Sequence, residues 1–424
     1  MSGSLEGIRV ISFTHYLQGP SCVQFLADLG ADVIKVERIG GAYERHWSGS
    51  KAFLENDMSV FFLLAGRNQR SIEVDLRSDE GKKVLWKIIE TADVIVENFR
   101  PGTLERHGFS YENVKTKNNR IIYCSLTGYG SHGPSKTKPG QDLLIQSVSG
   151  LARLSGRKED PPIPVGSAIV DQHAAALGAM GILAALLKRN STGRGSKVEG
   201  NLLSAALDLQ LEPLNYHLNG AKLWERSKSG ISSRFHQAPY GVFKTADGWL
   251  TLSLADGPTL AKVFDDPQFE KWNKEDQFDY REEVNKRVAG HMVNKKTADW
   301  EEIMGEIGVW FAPVNEYDEL LKDPQLSSNE SIMEFEHPQA GKVKLISHPI
   351  QYDGSVPPLK LMPPSPGQQT DEVLKEIGYS ESELTKMRNK GSIGPDRTKV
   401  QFNQAVSAPA SAYSNSKPMR LNKS

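Results

Sequence analysis

The chain has 424 residues, with 51 Lys and Arg against 52 Asp and Glu, so its formal net charge is −1. No global field draws such a chain to nucleic acid or to anionic lipid, and neither is an expected partner. Cys22 and Cys124 are its two cysteines. They cannot build a disulfide framework, and they read as reduced residues of a cytoplasmic protein.

At about 150 residues per domain, the length suggests two or three domains. The most apolar run, 174–187, falls short of the roughly 20 residues a membrane span needs. The C-terminal Asn-Lys-Ser is not a peroxisomal address. The expectation is a soluble intracellular protein.

In chain order, Gly7-Ile8-Arg9-Val10-Ile11-Ser12-Phe13 reads as a strand, followed by a Gly19-Pro20 turn, an amphipathic helix and a second strand over 31–38. A βαβ opening builds a parallel sheet with ligand beyond the strand ends. The first turn, Thr14-His15-Tyr16-Leu17-Gln18-Gly19, lacks G-x-G-x-x-G, which makes it a poor dinucleotide binder. Further strands are expected at 72–76, 93–98 and 121–126, with a helix over 78–91 entered through Ser78. The rhythm predicts an α/β, doubly wound, Rossmann-like parallel-sheet domain. Around 240–253, Asp247-Gly248 separates two apolar strands, an antiparallel hairpin, and charged helical segments follow.

These textures divide the chain into a large domain over 1–215, a smaller α+β domain over 216–325, and a segment over 326–400 that returns to the large domain. Residues 401–424 are Ser, Ala, Asn and Pro with few large apolar side chains, hence an expected disordered tail.

Asp171 stands at the start of a Gly- and Ala-rich helical stretch. Helix capping is the commoner job for such a residue, by roughly three to one. A carboxylate held ionised by the helix N-terminus is also a competent nucleophile, and the two roles are compatible. Gly178 and Gly181 each cost the helix about 1 kcal/mol relative to Ala, and close packing is the commoner reason for accepting that. Cys22, ahead of a helix, is a small buried hydrophobe more often than a reactive thiol.

Several segments in order then resemble one family. They are Gly19-Pro20-Ser21, Leu29 to Glu37, Asn68 to Ile72, Asp93 to Gly102, Thr192-Gly193-Arg194-Gly195 and Gly367 to Leu374. Together they are similar to class III CoA-transferases of the CaiB/BaiF type. That family includes formyl-CoA transferase, carnitine CoA-transferase and α-methylacyl-CoA racemase. The resemblance implies that Asp171 is the covalent catalyst, carrying CoA as an aspartyl-CoA thioester between an acyl-CoA donor and a small carboxylic acid. It implies CoA as co-substrate, no tightly bound cofactor and no metal. It assigns CoA contacts to His15, Leu17, Gln18, Arg38, Val74, Arg77, Asn98, Phe99, Arg100, Arg106 and Lys138. It also implies an interlocked homodimer. Read alone, each of the Arg and Lys residues is more often a solvated surface charge.

Departures from the family's patterns sharpen the choice. The racemases place a His in a Gly-His-Asp segment, and this chain has Gly140-Gln141-Asp142. Glutamine takes up no proton near neutral pH, so transferase is favoured over isomerase. No glycine-rich lid appears over 232–240, which argues against oxalate–formate exchange. Gln369 stands where the family usually has His. Outside the family, a nicotinamide-dependent dehydrogenase would need Glu37 on a ribose. A non-enzymatic scaffold has no repeat, coiled coil or basic stripe to support it.

Overall fold

The computed structural model describes residues 3–397. The expected tail over 401–424 lies outside the described residues. Two compact units emerge. One comprises the chain up to Gln141, then Ile169–Ala205, and the described residues from Pro324 onward. The other comprises Asp142–Ala168 and Ala206–Asp323. The sequence reading put 142–168 in the large domain. Those residues instead pack with the smaller unit, for instance through Gln210 Nε2, which donates to the Ser149 carbonyl at 3.2 Å.

The first unit is built on six parallel strands: β1 (Arg9–Phe13), β2 (Asp32–Glu37), β3 (Gln69–Glu73), β4 (Val94–Glu97), β5 (Ile122–Thr127) and β6 (Ser196–Asn201). Their order is β3-β2-β1-β4-β5-β6, the doubly wound arrangement with its switch point between β1 and β4. Strand alternation sorts side chains between two cores. Val10, Val33, Val96 and Cys124 enter one core with Cys22, Leu26 and Ile182. Ile11, Phe13, Ile34 and Ile95 enter the other with Leu85 and Ile88. Both faces are covered, so the strands read as near-continuous apolar runs.

Three helices matter for the site: α1 (Gln18–Asp28), α2 (Asp79–Glu90) and α3 (Ile169–Thr192). Ser78 caps α2, its Oγ accepting from Gly81 N at 3.0 Å. Helix α3 is longer than the apolar run 174–187 suggested. Its 24 residues are long and apolar enough to cross a membrane by length and composition alone. In the structure, its Ala175, Ala179, Ile182 and Leu186 belong to the core shared with α1 and the sheet. Its glycines are packing glycines. A Cβ on Gly178 would lie 3.0 Å from Leu126 Cδ2 and 3.2 Å from Cys22 Sγ, and one on Gly181 would lie 2.9 Å from Val198 Cγ1.

Strand β3 ends earlier than the expected 72–76, at Glu73. The next residues pair with the returning C-terminal segment instead: Val74 bridges Ile393, and Asp75 N donates to the Ser392 carbonyl at 3.0 Å. Gln369 has a structural job here. Its Oε1 accepts from Ser71 N at 2.9 Å, and its own N–H donates to the Ser71 carbonyl at 2.9 Å.

The second unit has a three-stranded antiparallel sheet, β7 (Tyr240–Lys244), β8 (Trp249–Ser253) and β9 (Trp310–Pro313), in that order. The β7–β8 hairpin is the one expected from Asp247-Gly248; β9 went unread because Trp310-Phe311-Ala312-Pro313 is short and has a proline. The core includes Phe243, Leu250, Leu252, Phe264, Phe269 and Trp300.

One buried ion pair anchors the edge of the first sheet. Glu37 is fully buried and accepts from Arg45 Nε at 2.6 Å and Nη2 at 2.5 Å, from Ser71 Oγ at 2.6 Å and from Ala42 N at 2.7 Å. Burial pushes its carboxyl up, but Arg45 and Lys35 win and hold it below the usual range. Removing the cation leaves a buried charge uncompensated. Arg45→Met should therefore destabilise the protein by about 3–5 kcal/mol, read as a lowered denaturant midpoint.

Candidate active site

The switch point is closed by one side chain. Asn98, directly after β4, brackets the backbone of His15, just past β1. Its Oδ1 accepts from His15 N at 2.8 Å, and its Nδ2 donates to the His15 carbonyl at 2.9 Å. Gly19 makes room for this clasp: a Cβ there would lie 2.7 Å from Asn98 Cγ and 2.7 Å from Thr14 Cβ. The His15 ring stacks on Phe99, with centroids 4.9 Å apart. Between His15 and helix α1, Tyr16 takes φ = 61°, a left-handed conformation that is a genuine outlier for a bulky residue. Its ring is 57% exposed and meets Tyr43 at 5.5 Å.

The remaining sequence-predicted residues follow the carboxyl ends of successive strands. Leu17 precedes α1, and Gln18 opens it, buried, with no hydrogen-bond partner for Nε2. Arg38 follows β2 and donates from Nε to the Gly41 carbonyl at 2.9 Å. Val74 and Arg77 follow β3. Val74 is fully buried. The side chain of Arg77 is 84% exposed and pairs with Asp75 at 3.0 Å. Arg100 and Arg106 are exposed after β4, and Lys138 is exposed in the loop after β5. The structure thus brings His15, Asn98 and Phe99 into contact and leaves the cations spread along one end of the sheet.

Asp171 lies in the first turn of α3, its third residue. It is not the cap residue, because the helix begins three residues earlier than the capping reading requires. Helix α3 runs opposite to the strands. Gly178 packs on Leu126 near the end of β5, whereas Arg189 reaches the Asp93 carboxylate at 2.9 Å, just before β4 begins. Seven residues ahead of Gly178, at 1.5 Å per residue, Asp171 sits about 10 Å further toward the carboxyl ends of the strands. That is the end where His15 and Asn98 lie. The N-terminal half-charge of a long helix favours an ionised carboxylate in its first turn.

Two groups weaken competing readings. Glu37 is committed to Arg45, Ser71 and Ala42, so it holds no ribose, which removes the support for a dehydrogenase. Cys22 is buried and burial pushes its thiol up to about 12, a packing residue rather than a nucleophile.

Sequence reading missed Glu97 and Glu44. Glu97 ends β4, accepts from Ser125 Oγ, and accepts from Phe99 N at 3.1 Å. Burial pushes its carboxyl up to about 7. Glu44 is buried between Lys35 and His15. Isolated buried acids leave no periodic signal in a sequence. A cavity of ≈ 520 Å³ lies in the second unit beside Arg153, His217, Lys222 and Arg234; it contains none of the sequence-predicted residues, so the chemistry is not assigned to it.

A carboxylate at a helix start and a strand-end turn at the switch point define a Rossmann-like ligand-binding enzyme. Comparison with known proteins is more specific. Residues 5–370 match CoA-transferase family III. The chain is similar to an acyl-CoA transferase of Fusarium pseudograminearum, 33% identical over 92% of this chain and 88% of the relative. It is also similar to succinyl-CoA:glutarate CoA-transferase of Mus musculus, 32% identical over 93% and 91%, and to formyl-CoA:oxalate CoA-transferase of Rhodopseudomonas palustris, 30% identical over 94% and 99%. Among solved structures, a CAIB/BAIF family protein from Brucella suis superposes with a TM-score of 0.77, 27% identity, 89% of this chain and 100% of that one. The chain belongs to CoA-transferase family III, and it is a CoA-transferase.

Glu97 supplies a pH test of the site. Its folded-state value lies above that of an unfolded Glu, so the folded chain holds the extra proton between about pH 4.5 and about pH 7. Its stabilising contribution is present below that window and is lost as pH rises through it, up to about 3 kcal/mol. Urea midpoints followed from about pH 5 to about pH 8 should fall in the native chain and fall much less in Glu97→Gln.

Proposed function

We propose that the enzyme moves CoA from an acyl-CoA donor to a free carboxylic acid through a covalent aspartyl-CoA thioester on Asp171. The observation that carries this reading is the placement of Asp171 in the first turn of α3, at the end of the sheet where His15 and Asn98 meet. A carboxylate oxygen attacks the thioester carbonyl, giving a mixed anhydride and CoA thiolate. The thiolate then attacks the aspartyl carbonyl and releases the first acid. The incoming carboxylate reverses both steps. Two easier steps replace one hard one, and excluding water preserves the thioester.

The CoA phosphates need cations and backbone donors. Arg38, Arg100, Arg106 and Lys138 follow the ends of β2, β4 and β5 and would meet them from that side. Leu17, Gln18 and His15 would line the thioester, and Arg77 extends the charged edge beyond β3.

The chemistry is tested by trapping. The protein is incubated separately with succinyl-CoA, acetyl-CoA and oxalyl-CoA, then treated with hydroxylamine. Peptide mass analysis should place the adduct on the Asp171 peptide for at least one donor. Asp171→Ala should carry none, and turnover should drop at least about 10⁴-fold. An adduct elsewhere, or undiminished turnover, rejects the reading.

A homodimer is part of the same proposal. In the first unit α3 leaves Met180 61% and Leu187 73% exposed, and in the second unit Leu211 and Leu218 are 64% and 70% exposed. Exposed apolar faces of this kind favour association. Light scattering should give twice the chain mass; a monomeric mass contradicts it.

A further inference from the structure

The turn after β1 holds more charge than lining a thioester requires. The Nδ1 of His15 is buried and faces Glu44 Oε2 at 3.6 Å. That is longer than a hydrogen bond, and neither atom has any other hydrogen-bond partner. The second Glu44 oxygen accepts from Lys35 Nζ at 2.8 Å, and Lys35 also donates to the Thr14 carbonyl at 2.9 Å. Burial alone would push the Glu44 carboxyl up, but Lys35 and His15 hold it well below the usual carboxylate range. Glu44 is therefore an anion with one oxygen open toward an imidazole.

Two buried polar atoms left unpaired are costly, and these two face one another. Hydrogen bonds used in catalysis are often long in a free enzyme and close when ligand binds. A His whose Nδ1–H is taken by a carboxylate presents Nε2 to its ligand. The ring has little freedom otherwise, because Phe99 stacks on its face and Asn98 holds its backbone. The charged groups facing it are Glu44, from the turn Tyr43–Arg45, and Lys35, from β2. From the end of β4, Glu97 accepts from Ser125 Oγ and from the Phe99 backbone N–H.

We propose that Glu44 is a positioning residue: it accepts a hydrogen bond from Nδ1–H of His15, so that Nε2–H of the imidazolium is offered to the CoA sulfur as the thioester opens. The proposal rests on the reading that His15 lines that thioester. As the bond from the aspartate oxygen to the acyl carbon forms, the C–S bond breaks and its electron pair stays on sulfur, where Nε2–H donates to it. When the thiolate attacks the aspartyl carbonyl, that pair makes the new C–S bond and the proton remains on Nε2. No proton is consumed.

The test pairs turnover with ¹⁵N NMR of histidine-labelled full-length protein, in Glu44→Gln, Glu44→Asp and the double variant Lys35→Met/Glu44→Gln. The double variant removes both members of the buried pair and leaves no orphaned charge. In the native chain Nδ1 of His15 should stay protonated in both the charged and the neutral ring. In Glu44→Gln and in the double variant the neutral-ring proton should move to Nε2. Both should lose about 10- to 100-fold in kcat, with KM for acyl-CoA little changed and partial recovery in Glu44→Asp. A native neutral ring protonated on Nε2, or a double variant with native kcat, overturns the proposal. Adduct formation on Asp171 is read separately: a normal adduct beside either result leaves the transferase reading standing while Glu44 loses its role.

Discussion

The clasp between Asn98 and the backbone of His15 is the constraint on which the rest of the site depends. Two strands that diverge at their carboxyl ends leave an open crevice, and in this chain one amide ties both edges of it. Its carbonyl accepts and its amino group donates, so both polar groups of the His15 peptide are satisfied at once. That fixes the direction in which the chain leaves β1. It also fixes where α1 begins, and it sets the His15 ring against Phe99. The left-handed conformation of Tyr16 follows from the same restraint, since the chain must turn sharply from a pinned residue into a helix. Backbone strain of this kind persists only where the surroundings over-determine it.

Around the clasp, buried charge is arranged in pairs rather than singly. Glu37 with Arg45, and Glu44 with Lys35, carry opposite charges at 2.5 Å and 2.8 Å. A buried pair of this sort adds little stability over an apolar substitute, but losing one member is expensive. The pairs therefore specify geometry more than they add free energy. Glu37 also accepts from Ser71 Oγ, and Ser71 Oγ accepts from Gly367 N at 2.7 Å. The returning C-terminal segment is thereby registered on β3, and the edge of the sheet is covered where an open strand would otherwise invite pairing.

Strand existence was legible because both faces of the sheet are buried, so β1, β2, β4 and β5 appear as apolar runs between turns. The start of β3 was misplaced by three residues. Gln69, Arg70 and Ser71 are polar yet buried: Gln69 Nε2 donates to the Ala65 carbonyl at 2.8 Å, while Arg70 pairs with Glu376 at 2.6 Å and Ser71 with Gln369, both hundreds of positions away. No local pattern announces partners at that separation. The same reason hid Glu44 and Glu97, whose significance lies in what surrounds them. Helix α3 was legible as a long Ala-rich stretch, while the place of Asp171 within its first turn was not, since helix ends are decided by one or two hydrogen bonds. The unit boundary near 142 was invisible because Asp142–Val148 forms an ordinary helix whose allegiance is set by tertiary contacts alone.

The missing phosphate-binding glycines now have a physical counterpart. In a dinucleotide fold the glycines after the first strand let a pyrophosphate approach the helix start closely. Here Gly19 is likewise required by close approach, but the groups that come close are the side chains of Asn98 and Thr14, at 2.7 Å from its missing Cβ. The close approach that a pyrophosphate makes in a dinucleotide fold is made here by the protein's own clasp. Phosphates would then have to be met further out, by side chains on the loops beyond β2, β4 and β5, where Arg38, Arg106 and Lys138 stand. If His15 lines the thioester as proposed, a turn that has exchanged phosphate amides for a pinned imidazole would suit a reacting sulfur rather than a nucleotide's anchor, and the same doubly wound topology would serve acyl transfer without the glycine motif of dinucleotide folds.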